Sequence, residues 1–136
     1  MRIVIVGDGK VGSTLAAELS KEDHDVVMID RNPEVLDELV DRTDVSAVVG
    51  NGATLLEAGI ATADLLIAVT GDDEKNLLCC VIAKKTGHCQ TIARVRNPEY
   101  ADLLTFLKEE LRLSMIINPD RAAAMEILNL LRFPAA

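Results

Sequence analysis

At 136 residues, with 49% hydrophobic and 26% charged side chains, the chain has room for one domain around a single continuous core. A net charge of -8 with no lysine or arginine cluster, and only 2% aromatic residues for base stacking, argue against direct nucleic-acid binding. No apolar run approaches the roughly 18 residues that cross a bilayer, and Met1-Arg2 leads straight into a strand-like run without a signal-peptide pattern, so a cytoplasmic domain is expected.

The first element is a strand over residues 2–6, which breaks into Gly7-Asp8-Gly9-Lys10-Val11-Gly12 and then into a segment carrying Val11, Leu15, Ala16 and Leu19 at helical spacing. A Gly-x-Gly-x-x-Gly turn between strand and helix fits a dinucleotide or nucleotide phosphate loop. Gly7 turns the chain off the strand, Gly9 lets a pyrophosphate approach bare backbone, and Gly12 allows close helix packing. The anion would be held by free amides at the positive end of the helix. A second strand over 25–29 ends at Asp30, near the roughly 20-residue spacing at which a carboxylate accepts hydrogen bonds from an adenosine ribose. That carboxylate would repel a 2′-phosphate, favouring NAD(H) over NADP(H), although adjacent Arg31 tempers the preference. It does not separate NAD from ATP, ADP or AMP, which carry the same ribose.

Further strand-like runs lie at 45–49, 65–69, 91–95 and 114–117, with helical patterns in most of the gaps. The alternation predicts an α/β, Rossmann-like doubly wound sheet of six mainly parallel strands in the order 3-2-1-4-5-6. Three triplets, Asn32-Pro33-Glu34, Asn97-Pro98-Glu99 and Asn118-Pro119-Asp120, combine an N-capping asparagine, a proline at the first helical position and an acid that complements the dipole. Each marks a turn from strand into helix.

The loops at the strand ends carry the remaining candidates. Asn51, Gly52, Ala53 and Thr54 follow the third strand, on the adenine side of such a sheet. Thr70 and Gly71 follow the fourth and should line the crevice opposite the glycine loop, with Asn76 one helical turn further on also facing it. Asp72 or Asp73 is a sound N-cap for the helix after strand four. Arg94 and Arg96 share one side of strand five by alternation. There they would reach a terminal phosphate or a partner subunit, or pair with Asp72, Asp73 or Glu99.

No catalytic constellation accompanies these residues. His24 and His88 sit in hydrophilic loop positions away from the crevice, and there is no Tyr-x-x-x-Lys, His-Glu-x-x-His or Gly-x-Ser-x-Gly pattern. Cys79, Cys80 and Cys89 lack metal-ligand spacing and read as buried or half-buried free thiols.

Taken in this order, the motifs resemble the TrkA N-terminal family, also called the RCK or KTN nucleotide-binding domain of bacterial potassium transport regulators. The resemblance rests on the run 3–12, Val27-Met28-Ile29-Asp30, the 50–54 turn, Ala68-Val69-Thr70-Gly71-Asp72-Asp73-Glu74-Lys75-Asn76, the run 92–100 and Ile117-Asn118-Pro119-Asp120. It implies a regulatory subunit, peripheral to the inner face of the plasma membrane, that binds NAD(H) or ATP, ADP or AMP and acts on a membrane potassium-translocating partner. By position it implies phosphates on Gly7, Gly9 and Gly12 with Lys10 in reach, ribose on Asp30, adenosine near Asn51, Gly52 and Ala53, Thr70 and Gly71 along the crevice, and Arg94 near the distal phosphates. Asp120 stands where relatives usually carry glutamate near a ligand or cation at a subunit contact.

Members of that family usually continue into a second subdomain, so the single domain 1–136 is expected to be excised from a longer chain. Residues 119–132 would form a crossover helix whose Met125, Ile127, Leu128 and Leu131 make a homodimer contact. The expected function is a non-enzymatic switch. The alternative is the cofactor domain of an NAD-dependent oxidoreductase that lacks its catalytic half.

Overall fold

The runs of Val, Ile, Leu and Ala that fill the strands suit a sheet buried on both faces, where both sides of every pleat must be apolar. The computed structural model describes residues 1–7, 9–51, 54–100 and 102–103, and the backbone of 115–117. Its strands are β1 (Arg2–Gly7), β2 (Asp25–Asp30), β3 (Ser46–Val49), β4 (Leu65–Val69), β5 (Gln90–Arg94) and β6 (Met115–Ile117). They form one sheet in the order β3-β2-β1-β4-β5-β6, and every pairing is parallel. The predicted order therefore holds, with one or both ends displaced by one residue in every strand but β4.

Among the described residues, helices α1 (Lys10–Lys21), α2 (Pro33–Arg42) and α3 (Asp73–Thr86) supply the crossovers after β1, β2 and β4, and a 3-10 turn at Ile60–Thr62 precedes β4. Alternation divides the core in two. Ile3, Ile5, Met28 and Ile67 face Leu15 and Leu19 of α1 and Leu36 and Leu39 of α2. Val4, Val6, Val27, Ile29 and Leu66 face Cys79, Cys80 and Ala83 of α3. The three cysteines are free and buried, as their spacing led us to expect.

The caps follow the expected chemistry. Asn32 accepts from Glu34 N at 3.0 Å with Pro33 at the first helical position, and Asn97 accepts from Glu99 N at 3.0 Å. Asp72, rather than Asp73, caps α3, accepting from Glu74 N and Lys75 N. The third triplet and the 119–132 segment lie outside the described residues.

The contact that aims α1 is the approach of Gly12 to Gly7. A Cβ on Gly12 would lie 3.2 Å from Gly7 Cα and 2.7 Å from Met28 Cε, so the Met28 methyl occupies the space two side chains would need. Overpacking of this kind costs about 1–3 kcal/mol. Gly12→Ala should lower the unfolding free energy by about that amount in urea melts. Adding Met28→Ala should recover only part of the loss, because the Gly7 backbone remains in the way.

Candidate nucleotide-binding site

The carboxyl ends of β1 and β4 lie side by side, Gly7 opposite Val69, and the connections leave them in opposite directions. That divergence opens the crevice at which doubly wound sheets take ligands. A cleft of about 250 Å³ sits there, lined by Val6, Gly7, Arg31, Gly50, Asn51, Thr70, Gly71, Asp72, Lys75 and Cys79. Its volume is below the roughly 300 Å³ of sites that enclose a whole small molecule, so it suits a nucleoside-sized portion of a larger ligand.

Gly9 adopts φ 100° and ψ -129°, a conformation open essentially to glycine alone, and a Cβ there would meet nothing within 4 Å. Backbone conformation, not crowding, thus requires glycine at this position, and the space above it is open. The first α-helical bond runs from Ser13 N to Gly9 O at 3.1 Å, reinforced by Ser13 Oγ donating to the same oxygen at 2.9 Å. The amides of Lys10, Val11 and Gly12 precede that bond and have no acceptor within the helix. Helix α1 has no side-chain cap and no acid in its first turn, whereas α2 carries Asn32 and Glu34 and α3 carries Asp72, Asp73 and Glu74. Its positive end is therefore the one left uncompensated by a cap.

Asp30 is only 2% exposed. Its Oδ2 accepts from Gly9 N at 3.1 Å and its Oδ1 from Asn32 N at 2.9 Å. The carboxylate thus ties the glycine loop to the start of α2, and each oxygen retains one further acceptor site. This tie was not visible in the spacing, which gave the residue a ribose role only.

Asn76 is brought beside the crevice but turned into the protein. Its Oδ1 accepts from Thr70 N at 2.9 Å and Thr70 Oγ1 at 2.6 Å, while Nδ2 donates to Thr70 O at 3.1 Å and Arg94 O at 2.9 Å. With 0% exposure and these four bonds, it holds the crevice wall instead of facing a ligand as expected from its helical position.

The strand alternation that would align Arg94 with Arg96 does not reach Arg96. The strand ends at Arg94, because Arg96 N and Asn97 N donate to Asp73 Oδ1 and Oδ2 at 2.9 and 2.8 Å instead of continuing the ladder. Arg96 is exposed. Arg94 is 8% exposed, donates from Nη1 to Val69 O at 3.2 Å, and leaves Nε without a partner. Among the described residues no carboxylate lies within 4.0 Å of it, so the alternative pairing with Asp72, Asp73 or Glu99 is not made.

Some of the candidates line two concavities, whereas Val11, Gly12, Asp30, Asn76 and Arg94 line neither. Gly7, Arg31, Asn51, Thr70 and Gly71 meet in the crevice, while Gly9 and Lys10 line a groove between α1 and α2 together with Ser13 and Arg42. Asp8, Gly52 and Ala53 lie outside the described residues. Val6, Gly50, Asp72, Lys75 and Cys79 also line the crevice, and Lys75 and Cys79 come from a helix that the sequence reading had linked to it only through Asn76. Their four-residue separation on α3 places both on one helix face, a signal that could have found them.

Residues 3–119 match the family model described as TrkA-N domain. The chain belongs to the TrkA-N domain family. Curated relatives of this TrkA-N chain include a Trk system potassium uptake protein TrkA homolog of Archaeoglobus fulgidus, 42% identical, and the Trk system potassium uptake protein TrkA of Haemophilus influenzae, 37% identical. Each alignment covers 100% of this chain and 31% of the relative, so the chain spans about a third of their length.

Among solved structures, the TrkA-N domain of the Escherichia coli inner membrane protein ybaL aligns with a TM-score of 0.76 and 27% identity over 96% of each chain. The GsuK channel bound to NAD aligns at 0.65 and 22% identity, over 86% of this chain and 21% of that one. The Shewanella denitrificans Kef CTD in AMP-bound form aligns at 0.70 and 22%, over 96% and 82%. At 22% identity these last two likenesses establish the fold alone. Among the described residues of this TrkA-N domain no helix is long and apolar enough to cross a membrane, and no cluster of potential metal ligands occurs.

Two outcomes follow from the site geometry. Asp30→Asn sets an amide N–H against either the Gly9 or the Asn32 N–H, and leaving such a buried donor unpaired costs about 1–3 kcal/mol. The loss should show in urea melts without nucleotide. Burial pushes the Cys79 thiol up to about 11 and the Cys80 thiol to about 12, from an ordinary 9.0. The unfolded chain therefore loses these protons first. The thiols' contribution to stability should be level below about pH 9 and fall between about pH 9 and pH 12, with Cys80→Ala flattening the decline in melts across that range.

Proposed function

We propose that this chain is the nucleotide-sensing part of a regulator of potassium uptake, taking NAD(H) or an adenine nucleotide (ATP, ADP or AMP) across its glycine loop. The observation that carries the reading is the uncapped start of α1, with Gly9 held in its glycine-only conformation and joined to Asp30. The open amides at the start of α1, from Lys10 to Gly12, receive the phosphates, with Gly7, Asp8 and Gly9 shaping the loop that lets them approach, Val11 supplying backbone and Lys10 also supplying charge. Asp30 accepts from the ribose hydroxyls with its remaining acceptor sites, and Arg31 lies at the same edge. Asn51, Gly52 and Ala53 border the adenosine. Thr70 and Gly71 form the opposite wall, positioned by Asn76. Arg94, buried and with no carboxylate partner among the described residues, supplies the counter-charge for the distal phosphates.

Relatives named as potassium uptake proteins support the regulatory assignment, as does a likeness in fold to an NAD-bound channel and an AMP-bound domain. The partner is a membrane potassium-translocating subunit, the regulator works as a homo-oligomer, and the domain sits at the cytoplasmic face of the membrane through that partner. It is a switch and not an enzyme. A ligand shifts the arrangement of paired domains by the difference of its affinities for the two states, and a ligand that binds both equally shifts nothing.

Calorimetric titration with NADH, NAD, ATP, ADP and AMP tests the reading. At least one should bind, and saturating it at about 100 times its Kd should stabilise the fold by about 2.7 kcal/mol. Lys10→Ala and Arg94→Gln should weaken that ligand. Absence of a thermal shift with every nucleotide would sink the proposal, and turnover of NADH with a panel of small carbonyl compounds would favour the oxidoreductase instead.

A further inference from the structure

Strand β3 ends the sheet, with β2 on its inner side and no strand on its outer side among the described residues. Gly50 N donates to Asp30 O at 2.9 Å, so by the two-residue alternation of a strand Ala47 and Val49 turn their N–H and C=O groups outward. Val45 would do the same, but its N–H is already taken by Thr43 Oγ1 at 3.2 Å. Beside this edge lies a groove of about 670 Å³ between β3 and α2. Its floor is apolar, with Val40 44% and Val49 57% exposed. Asp37 and Asp41 form its rim, and both are exposed, as is Asp44 at the entry to the strand. The nearest base in sequence, Arg42, lines the grooves between α1 and α2 and not this one.

We propose that this edge receives an extended, lysine- or arginine-bearing segment of a partner protein, which adds a strand beside β3. Ala47 and Val49 offer the main-chain bonds, and on the face of the added strand that meets α2 a small apolar side chain covers the groove floor between basic ones that meet Asp37 and Asp41. The acidic rim selects against a second copy of this chain. Two-fold pairing of β3 with β3 would bring the two α2 helices together, Asp37 and Asp41 against Asp37 and Asp41. The net charge of -8 adds to that repulsion and attracts a basic segment.

The probe is an acetylated Thr-Lys-Thr-Val-Thr-Lys-Thr peptide, whose lysines and valine share one face of an extended strand, with a glutamate-for-lysine version as control, titrated into the isotopically labelled chain at low salt. The lysine peptide should shift the Ala47 and Val49 amides and slow their hydrogen exchange, while the glutamate peptide should not. Asp37→Asn with Asp41→Asn, both exposed and expected to leave the fold unchanged, should weaken binding about tenfold. Ala47→Pro removes an outward N–H that the sheet does not use and should abolish binding at an unchanged melting temperature. Equal binding of the two peptides, or shifts that miss residues 47 and 49, overturns the proposal. So does protection of these amides that grows with protein concentration in the absence of peptide, since that makes a second copy the occupant.

Discussion

The approach of α1 to β1 at Gly12 and Gly7, closed over by the Met28 methyl, is the constraint on which the rest of the site depends. A helix packed this tightly against the strand it follows has its axis fixed by backbone contact and not by adjustable side chains. Its first amides consequently open at the strand end. The same geometry sets Met28 of β2 into the junction, so that Asp30, two residues on along the same face, arrives beside Gly9. Loop, helix start and carboxylate are thus placed by one packing event.

Much of this was legible in the chain, and for identifiable reasons. Strand order follows from apolar runs alternating with amphipathic ones, and helix starts follow from Asn32 and Asp72, whose capping chemistry is local. What spacing could not supply was direction. Asn76 lies one turn into α3, and nothing in its position says that it turns inward to spend every donor and acceptor on Thr70 and Arg94. The separation of Arg94 from Arg96 depends on Asp73, more than twenty residues earlier, drawing two amides away from the strand end. Such long-range competition for backbone groups leaves no periodic trace.

The tie between Asp30 and Gly9 gives the carboxylate two kinds of work. It replaces, within the protein, part of what a cap would do for α1, and it holds the loop in the shape that leaves the remaining amides open. An effect of substituting Asp30 on ligand affinity therefore contains a contribution from loop geometry as well as from a lost sugar contact. Comparison with substitutions at Lys10, which touches neither Gly9 N nor Asn32 N, separates the two.

The opposite wall is built differently. Thr70, Asn76 and the carbonyl of Arg94 are joined through a side-chain amide, a hydroxyl and main-chain groups, none of which gains or loses a proton near neutrality. The Thr70–Asn76–Arg94 bonds therefore fasten that wall with fixed dipoles rather than charges, and what enters the crevice is selected there against an outline set by main-chain and amide groups.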